Sequence, residues 1–400
     1  MEIFNKKEMI NKTKELFYAL INTIDKNQRR YNFFVFLSTF ARQLIELFIP
    51  IILYKAWFVL KDIIFYYFCV SWISFILAPI LIKLAKKVRY NTILLFWIIS
   101  FIVLQLIIAH ISISVWYLVL VAFLFACYRR CYRITRRLYN LKVIHNTNIW
   151  ISYTFISIIN QLACMVAAYV GAILLDFVNI ETLTCISILL FIVSIYPISK
   201  IKAPKKEKSD IKLDLIWTLK KIPNVDKYIF GSYELLNFVR FLIPLYLFIY
   251  VSDTYQIVWI LQVFTWLATI LFSYIYGKKI NKKNINFLNL SIFLIVLIYV
   301  IKINVTWIFL AIVAFLEWFI SKMNEISVGK EFIKLSKQFD YENYNYAYEQ
   351  TQNIFRLVVS VVMFFFMDDL KIMIYFILLV MAIAIPMKFK DKIKQPKNIK

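Results

Sequence analysis

Long apolar runs alternate with short basic segments along nearly the whole chain. A helix needs about 20 apolar residues to cross a membrane. Twelve runs approach that length, near 31–53, 62–82, 91–109, 112–128, 149–174, 182–200, 228–250, 256–276, 285–301, 304–321, 348–367 and 372–387. The pattern therefore predicts an all-α integral membrane protein with twelve transmembrane helices.

The basic residues between the apolar runs indicate the orientation, because short cytoplasmic loops collect Lys and Arg. With the N-terminus inside, the cytoplasmic segments hold 40 of the 47 basic residues. The outer segments hold only Lys55, Lys61, Lys302 and Lys371. We therefore expect both termini in the cytoplasm, and an uncleaved, positive-inside chain of this kind is typical of a bacterial plasma membrane protein.

Polar stretches divide the chain into five parts. Residues 1–30 have apolar residues at helical spacing and are predicted to lie on the cytoplasmic membrane surface. Residues 201–227 form a charged cytoplasmic linker with a predicted amphipathic helix. This linker separates an N-terminal six-helix bundle, residues 31–200, from a C-terminal one, residues 228–387. A basic cytoplasmic tail, residues 388–400, follows.

Composition narrows the class of protein. The chain is 62% hydrophobic with a mean hydropathy of +0.72, far above a soluble domain. Its net charge of +24 is scattered in short bursts and does not form one basic face for nucleic acid. Two histidines and five cysteines in or beside apolar runs favour neither a metal site nor a disulfide framework. Because nucleotide-binding motifs are absent too, we expect no enzyme, no cofactor and no ATP-driven step.

The two halves of the chain resemble each other. LIELFIPIILY in the first predicted span matches FVRFLIPLYLF in the seventh, which sets Pro50 against Pro244. Asn160 and Asn353 correspond at an offset of 193 residues, in the fifth and eleventh spans. Matches in the same order at similar offsets indicate duplication of a six-span unit. We therefore predict two pseudo-symmetric bundles around a central cavity.

This plan resembles the major facilitator superfamily of transporters. The resemblance covers nearly the whole chain and rests on the proline-containing first span, the short outer turn YKAWFVLKD and the loop APILIKLAKKVRYNTILL. In that loop, Lys86, Lys87 and Arg89 keep the cationic part of the superfamily signature, which implies a gating role. Ala78 and Ile82 stand where its glycine and aspartate are expected.

Charged residues inside the predicted spans are candidate substrate- or ion-binding residues, since a charge costs about 2.5 kcal/mol or more at the bilayer centre. They are Arg42, Glu46, Arg240, Glu317 and Arg356. The resemblance implies that all but Arg42 surround one aqueous space between the halves. Two further glutamates, 234 and 349, lie nearer the cytoplasmic ends of their spans.

Uncharged polar residues at mid-span depth form a second candidate set. They are Asn160, Gln161, Asn237 and Asn353. Hydrogen bonds between helices explain each of them at least as well as substrate contact does.

Arg42 and Glu46 are four residues apart on one helix face, so they can form a structural ion pair. The repeat adds an alternative, because Arg240 has the same spacing to Pro244 as Glu46 has to Pro50. We hypothesise that Glu46 exchanges between Arg42 and Arg240 as the halves rock. Such an exchange could load and release a proton, and a freed arginine could bind an anion.

The burst YRRCYRITRRLYN puts five arginines at the predicted cytoplasmic end of the fourth span. Orientation and contact with anionic lipid head groups suffice to explain it. Closing an inner gate, or attracting an acidic substrate, are the alternatives. The acidic segment FDYENYNYAYEQ of the other half is expected to face this basic rim.

These patterns predict a monomeric secondary transporter that moves a small solute by alternating access, with proton coupling left open. The alternative is a flippase for a lipid-linked glycan or another lipid. A cavity open sideways to lipid, lined by Arg42, Arg240 and Arg356, would favour the flippase. The only partners expected are the substrate, a proton and the bilayer.

Overall fold

The computed structural model describes residues 26–87, 90–144, 149–201, 220, 224–251, 254–255, 259–260, 263, 267, 288–304, 312–313, 316–317, 320, 341–366 and 368–394. These residues are helical apart from short turns, and no β-strand occurs among them. Most of the predicted linker and most of the eighth and tenth predicted spans lie outside the described residues, as do residues 1–25.

Eleven helices have defined bounds within these ranges. They are α1 Lys26–Glu46, α2 Ile49–Lys55, α3 Leu60–Lys87, α4 Tyr90–Ala109, α5 Val115–Ile144, α6 Ile149–Phe177, α7 Ile180–Ser199, α8 Asn224–Tyr250, α9 Leu288–Asn304, α10 Tyr341–Phe366 and α11 Leu370–Lys394. We call α1–α7 the N-half, and we call α8–α11 with the described residues between them the C-half.

In the described part of the chain, seven helical stretches are long and apolar enough to cross a membrane. One of them combines α1 and α2, and the others lie in α3, α4, α5, α6, α7 and α8. Shorter apolar stretches lie in α9 and α11. The prediction of an all-α, multi-pass integral membrane protein is therefore confirmed for these residues.

Pro50 divides the first crossing into two helices. It occupies the first turn of α2 and has no N–H to donate to the carbonyl of Glu46, four residues earlier. Helix α1 ends at Glu46, and a turn at residues 47–48 joins it to α2. Pro244, its counterpart in the repeat, lies inside α8, which continues through it. The break therefore places Glu46 at a helix end within the crossing.

An aromatic core holds the N-half together. Phe191 on α7 stacks on Phe101 of α4, with ring centroids 4.2 Å apart, and meets Trp97 edge-on at 4.9 Å. Phe101 and Trp97 also contact Tyr128 and Tyr132 on α5, at 5.2 Å each. These rings hold both α5 and α7 against α4, and so fix the face of α5 that carries its arginines.

Equivalent helices pack in equivalent ways within each half. Helix α1 packs against α6 and α7, and α8 packs against α10 and α11. Helices α4 and α7 are likewise in contact, as are α9 and α11. The halves meet where α3 packs against α10 and where α2 packs against α8.

Two glycines allow the closest helix approaches. A Cβ atom at Gly171 on α6 would lie 2.5 Å from the carbonyl oxygen of Leu44 on α1. A Cβ atom at Gly231 on α8 would lie 2.6 Å from the ring of Phe355 on α10. Small residues at such positions let membrane helices approach closely. Gly231 thereby brings the following turn of α8, which carries Glu234, next to Arg356.

Candidate functional site

Glu46 lies at the end of α1 among groups from its own half. Its Oε2 is 3.3 Å from Arg42 Nε, and the hydroxyl of Tyr128 donates to the same oxygen at 3.3 Å. Gln43 Nε2 donates at 3.5 Å, and the Arg42 guanidinium lies 4.9 Å from the ring centroid of Tyr132. The ion pair predicted from the i, i+4 spacing is therefore formed, and α5 supports it.

Glu234 on α8 is fully buried, at 0% exposure, and three arginines surround its carboxylate. Arg356 on α10 makes the close ion pair, with Oε1. Arg129 Nη2 lies 4.0 Å from Oε1, and Arg133 Nη2 lies 3.9 Å from Oε2. Asn237 Nδ2 also donates to Oε2, at 3.4 Å. Arg129 and Arg133 are on α5, so this carboxylate joins the two halves.

These two groups form one continuous site. Tyr128, which donates to Glu46, and Arg129, which lies 4.0 Å from Glu234, are adjacent on α5. Tyr67 on α3 contacts Phe241 of α8, the ring that also lies against Arg129. We call the charged members the central cluster. They are Arg42, Glu46, Arg129, Arg133, Glu234 and Arg356.

A second ion pair joins the halves beside the central cluster. Arg130 Nη1 on α5 is 2.5 Å from Glu349 Oε2 on α10, and the two side chains are 2% and 1% exposed. Arg130 Nη2 also donates to Asn353 Oδ1. Gln350 Nε2, on the same helix, donates to the carbonyl of Phe75 on α3 at 3.1 Å. We call Arg130, Glu349 and Asn353 the inner contact, after the predicted orientation.

Glu317 pairs within the C-half. Lys302 Nζ lies 2.6 Å from its Oε2, and the Tyr299 hydroxyl donates to Oε1. Lys302, expected in an outer connection, instead lies buried in the last turn of α9. Arg240 donates from Nη1 to Asn237 Oδ1 at 3.1 Å, and Asn237 in turn donates to Glu234.

Aromatic side chains join the halves at the other end of the interface. The rings of Phe48 and Tyr255 meet edge-on at 5.4 Å, and those of Tyr54 and Phe248 at 6.5 Å. Lys55 Nζ lies 4.1 Å from the Tyr255 ring centroid and 5.1 Å from that of Phe248. We call these five residues the outer contact. The halves therefore touch at both ends of the interface.

The remaining predicted residues are Asn160, Gln161 and the basic residues of the loop between α3 and α4. Thr39 on α1 donates to Asn160 Oδ1 on α6 at 3.0 Å, so Asn160 makes a bond between helices. Gln161 is buried beside it on α6. The side chains of Lys86 and Lys87, and the whole of Arg89, lie outside the described residues. The predicted gating role of that loop stays a prediction.

The structure adds residues that are not among the predicted site residues, above all Glu234, Lys302, Arg129 and Arg133. Glu234 lies near the cytoplasmic end of its predicted span, where a charge is a weaker signal of function. The helical spacing of four residues between Arg129 and Arg133 was the available signal, since it puts both on one face of α5. Among the described residues, no group of His, Cys, Asp or Glu could hold a metal ion.

Comparison with known proteins shows what this fold is similar to. No protein-family model and no curated protein sequence matches the chain. Among solved structures, the crystal structure of a point mutant of the nucleoside transporter NupG, a member of the major facilitator superfamily, matches with a TM-score of 0.68. The match covers 91% of this chain and 100% of that one at 12% identity. The chain therefore shares its fold with that transporter, in agreement with the fold that the sequence resemblance implies.

Proposed function

We propose that this chain is a secondary transporter that moves a small solute by alternating access between two six-helix bundles. The observation that carries the proposal is the position of the buried charges. The central cluster and the inner contact draw side chains from both halves and lie between them. Charges that are costly in a membrane span are expected to face a solute pathway.

The packing of the described helices supports the two-bundle arrangement. The contacts of α1 with α6 and α7 correspond, at the spacing of the sequence repeat, to those of α8 with α10 and α11. Corresponding helices in corresponding contacts are expected of a duplicated six-helix unit. We accordingly place the rocking axis between the two halves.

The contacts at both ends of the interface support an occluded conformation. In alternating access, the inner contact and the outer contact would open in turn. Glu46 is our candidate for the proton carrier, because opening either end would bring water towards this buried carboxylate. Its ion pair with Arg42 lies within one helix and does not have to break when the halves move.

Distances between spin labels can test the rocking motion without a known substrate. One pair of labels replaces Trp57 and Phe366, which are 85% and 79% exposed at the predicted outer ends of opposite halves. The other replaces Lys26 and Lys227, at the predicted inner ends. The five native cysteines are replaced beforehand. E349Q removes the acid of the inner contact and is compared with E181Q, which removes an exposed one.

We expect E349Q to lengthen the inner distance and to leave the outer distance unchanged or shorter, because Arg130 can then reach water only by opening the inner end. E181Q is expected to leave both distributions as in the parent protein. Distributions in E349Q that match the parent at both ends would contradict rocking about this interface.

A further inference from the structure

We infer that the transported solute is an anion, and that Glu234 occupies its place between Arg129 and Arg133 in the conformation described. The inference rests on the proposed function, because it names the class of solute. It is tested by binding, so it can fail while alternating access stands.

The first argument is the charge of the central cluster. Among the described residues, its members are four arginines and two glutamates, an excess of two positive charges. Arg42 compensates Glu46, and Arg356 compensates Glu234. Arg129 and Arg133 therefore share a carboxylate that already has a closer partner. Removing charges from water without full compensation is costly, so an added anion would be favoured here.

The second argument is geometry. The 4.0 and 3.9 Å distances from Arg129 and Arg133 to Glu234 are at the limit of an ion pair, and the two arginine side chains remain 14% and 20% exposed. Glu234 and Arg356 both belong to the C-half, whereas the two other arginines belong to the N-half. If the inner end opens, Glu234 leaves with Arg356, and the paired arginines lose their carboxylate.

The third argument is the arrangement of the donors. Arg129 and Arg133 are one turn apart on α5, and the Arg129 guanidinium lies 5.2 Å from the ring centroid of Phe241. Guanidinium groups bind carboxylates and phosphates bidentately, and an aromatic face favours their planar stacking. Two neighbouring guanidinium groups therefore suit a carboxylate- or phosphate-bearing solute. Glu234 acts as a counter-ion that such a solute replaces.

Binding is measured by thermal unfolding of the full chain in nanodiscs made only of phosphatidylcholine. The probes are sodium phosphate, sodium succinate and uncharged uridine, with sodium chloride at matched ionic strength. Because a ligand of the native state raises the unfolding temperature, we expect phosphate or succinate to raise it and uridine not to.

Variants locate the binding. R129Q and R133Q are each expected to raise the anion concentration that gives half of the temperature shift about tenfold or more, since each removes one guanidinium. E234Q is expected to lower that concentration several-fold, because it removes the competing carboxylate. K83Q, which removes an exposed positive charge from α3, is the matched control and is expected to behave as the parent protein.

Several outcomes would overturn the inference. Stabilisation by uridine alone, stabilisation by no probe, or an anion effect unchanged in both R129Q and R133Q would each contradict an anion site here. Nanodiscs that also contain anionic phosphatidylglycerol distinguish the source of the anion. If only these raise the unfolding temperature, and only with both arginines present, then the anion is a lipid head group and the soluble solute is excluded.

Discussion

The ion pairs inside one half differ from those between the halves. Lys302 and Glu317 are both in the C-half, and Arg42 and Glu46 are both on α1. Arg130 and Glu349 come from opposite halves and are buried at least as deeply as either of these pairs. A pair inside one half can remain intact while the halves move, whereas a pair between them has to break whenever that end opens.

This difference determines what happens when a substitution removes one residue of an ion pair. Removing one member of a buried ion pair leaves a charge without compensation and typically costs about 3–5 kcal/mol. For the Lys302–Glu317 pair, which makes none of the contacts between the halves described above, we expect opening of either end to leave the remaining charge buried. At the interface, opening can bring the unpaired charge to water. Loss of the partner then favours the open conformation and costs less free energy of unfolding.

The largest expected effect is at Glu317. We expect E317Q to lower the free energy of unfolding by about 3–5 kcal/mol, because Lys302 stays buried and unpaired. E349Q serves as the matched variant and is expected to lower it by less than half as much, since Arg130 can become solvated. Denaturant unfolding in detergent micelles measures both. An E349Q loss equal to that of E317Q would remove the distinction between the two kinds of pair.

The next effect tests the hypothesis that Glu46 exchanges between Arg42 and Arg240. We expect E46Q and R240E each to reduce uptake of the best-binding anion into proteoliposomes about tenfold, equivalent to about 1.4 kcal/mol. The double variant E46R/R240E is expected to recover part of that loss by restoring an opposite-charge pair. Unaltered uptake in the two single variants would exclude the exchange and leave Arg42–Glu46 as a structural pair.

The smallest effect is expected at the outer contact. Y54A removes the ring that meets Phe248, an aromatic pair worth about 0.5–1.5 kcal/mol beyond its buried area. We expect it to increase the population with a long distance between labels at residues 57 and 366. W72A, which removes a ring exposed on the outside of α3, is the control. A shift in W72A as large as that in Y54A would contradict a specific role for the outer contact.

The central cluster was only partly predictable from sequence. The spacing of Arg42 and Glu46 gave their ion pair correctly, because residues four apart on a helix are neighbours wherever the helix lies. Nothing in the spacing assigns Glu234 to Arg356, which is more than a hundred residues away. The prediction that the acidic segment at residues 339–350 faces the basic rim agrees with the ion pair of Arg130 with Glu349.

Some properties of this protein can be predicted from its sequence, and others depend on its tertiary structure. The sequence alone determined the membrane environment, the helical class and the superfamily resemblance, because apolar runs and basic loops act through local partitioning between lipid and water. Only the tertiary structure decided which carboxylate each buried cation meets, and whether that pair lies within a half or between halves. Those pairings depend on contacts distant in sequence, such as the approach of α8 to α10 at Gly231, which no local pattern encodes.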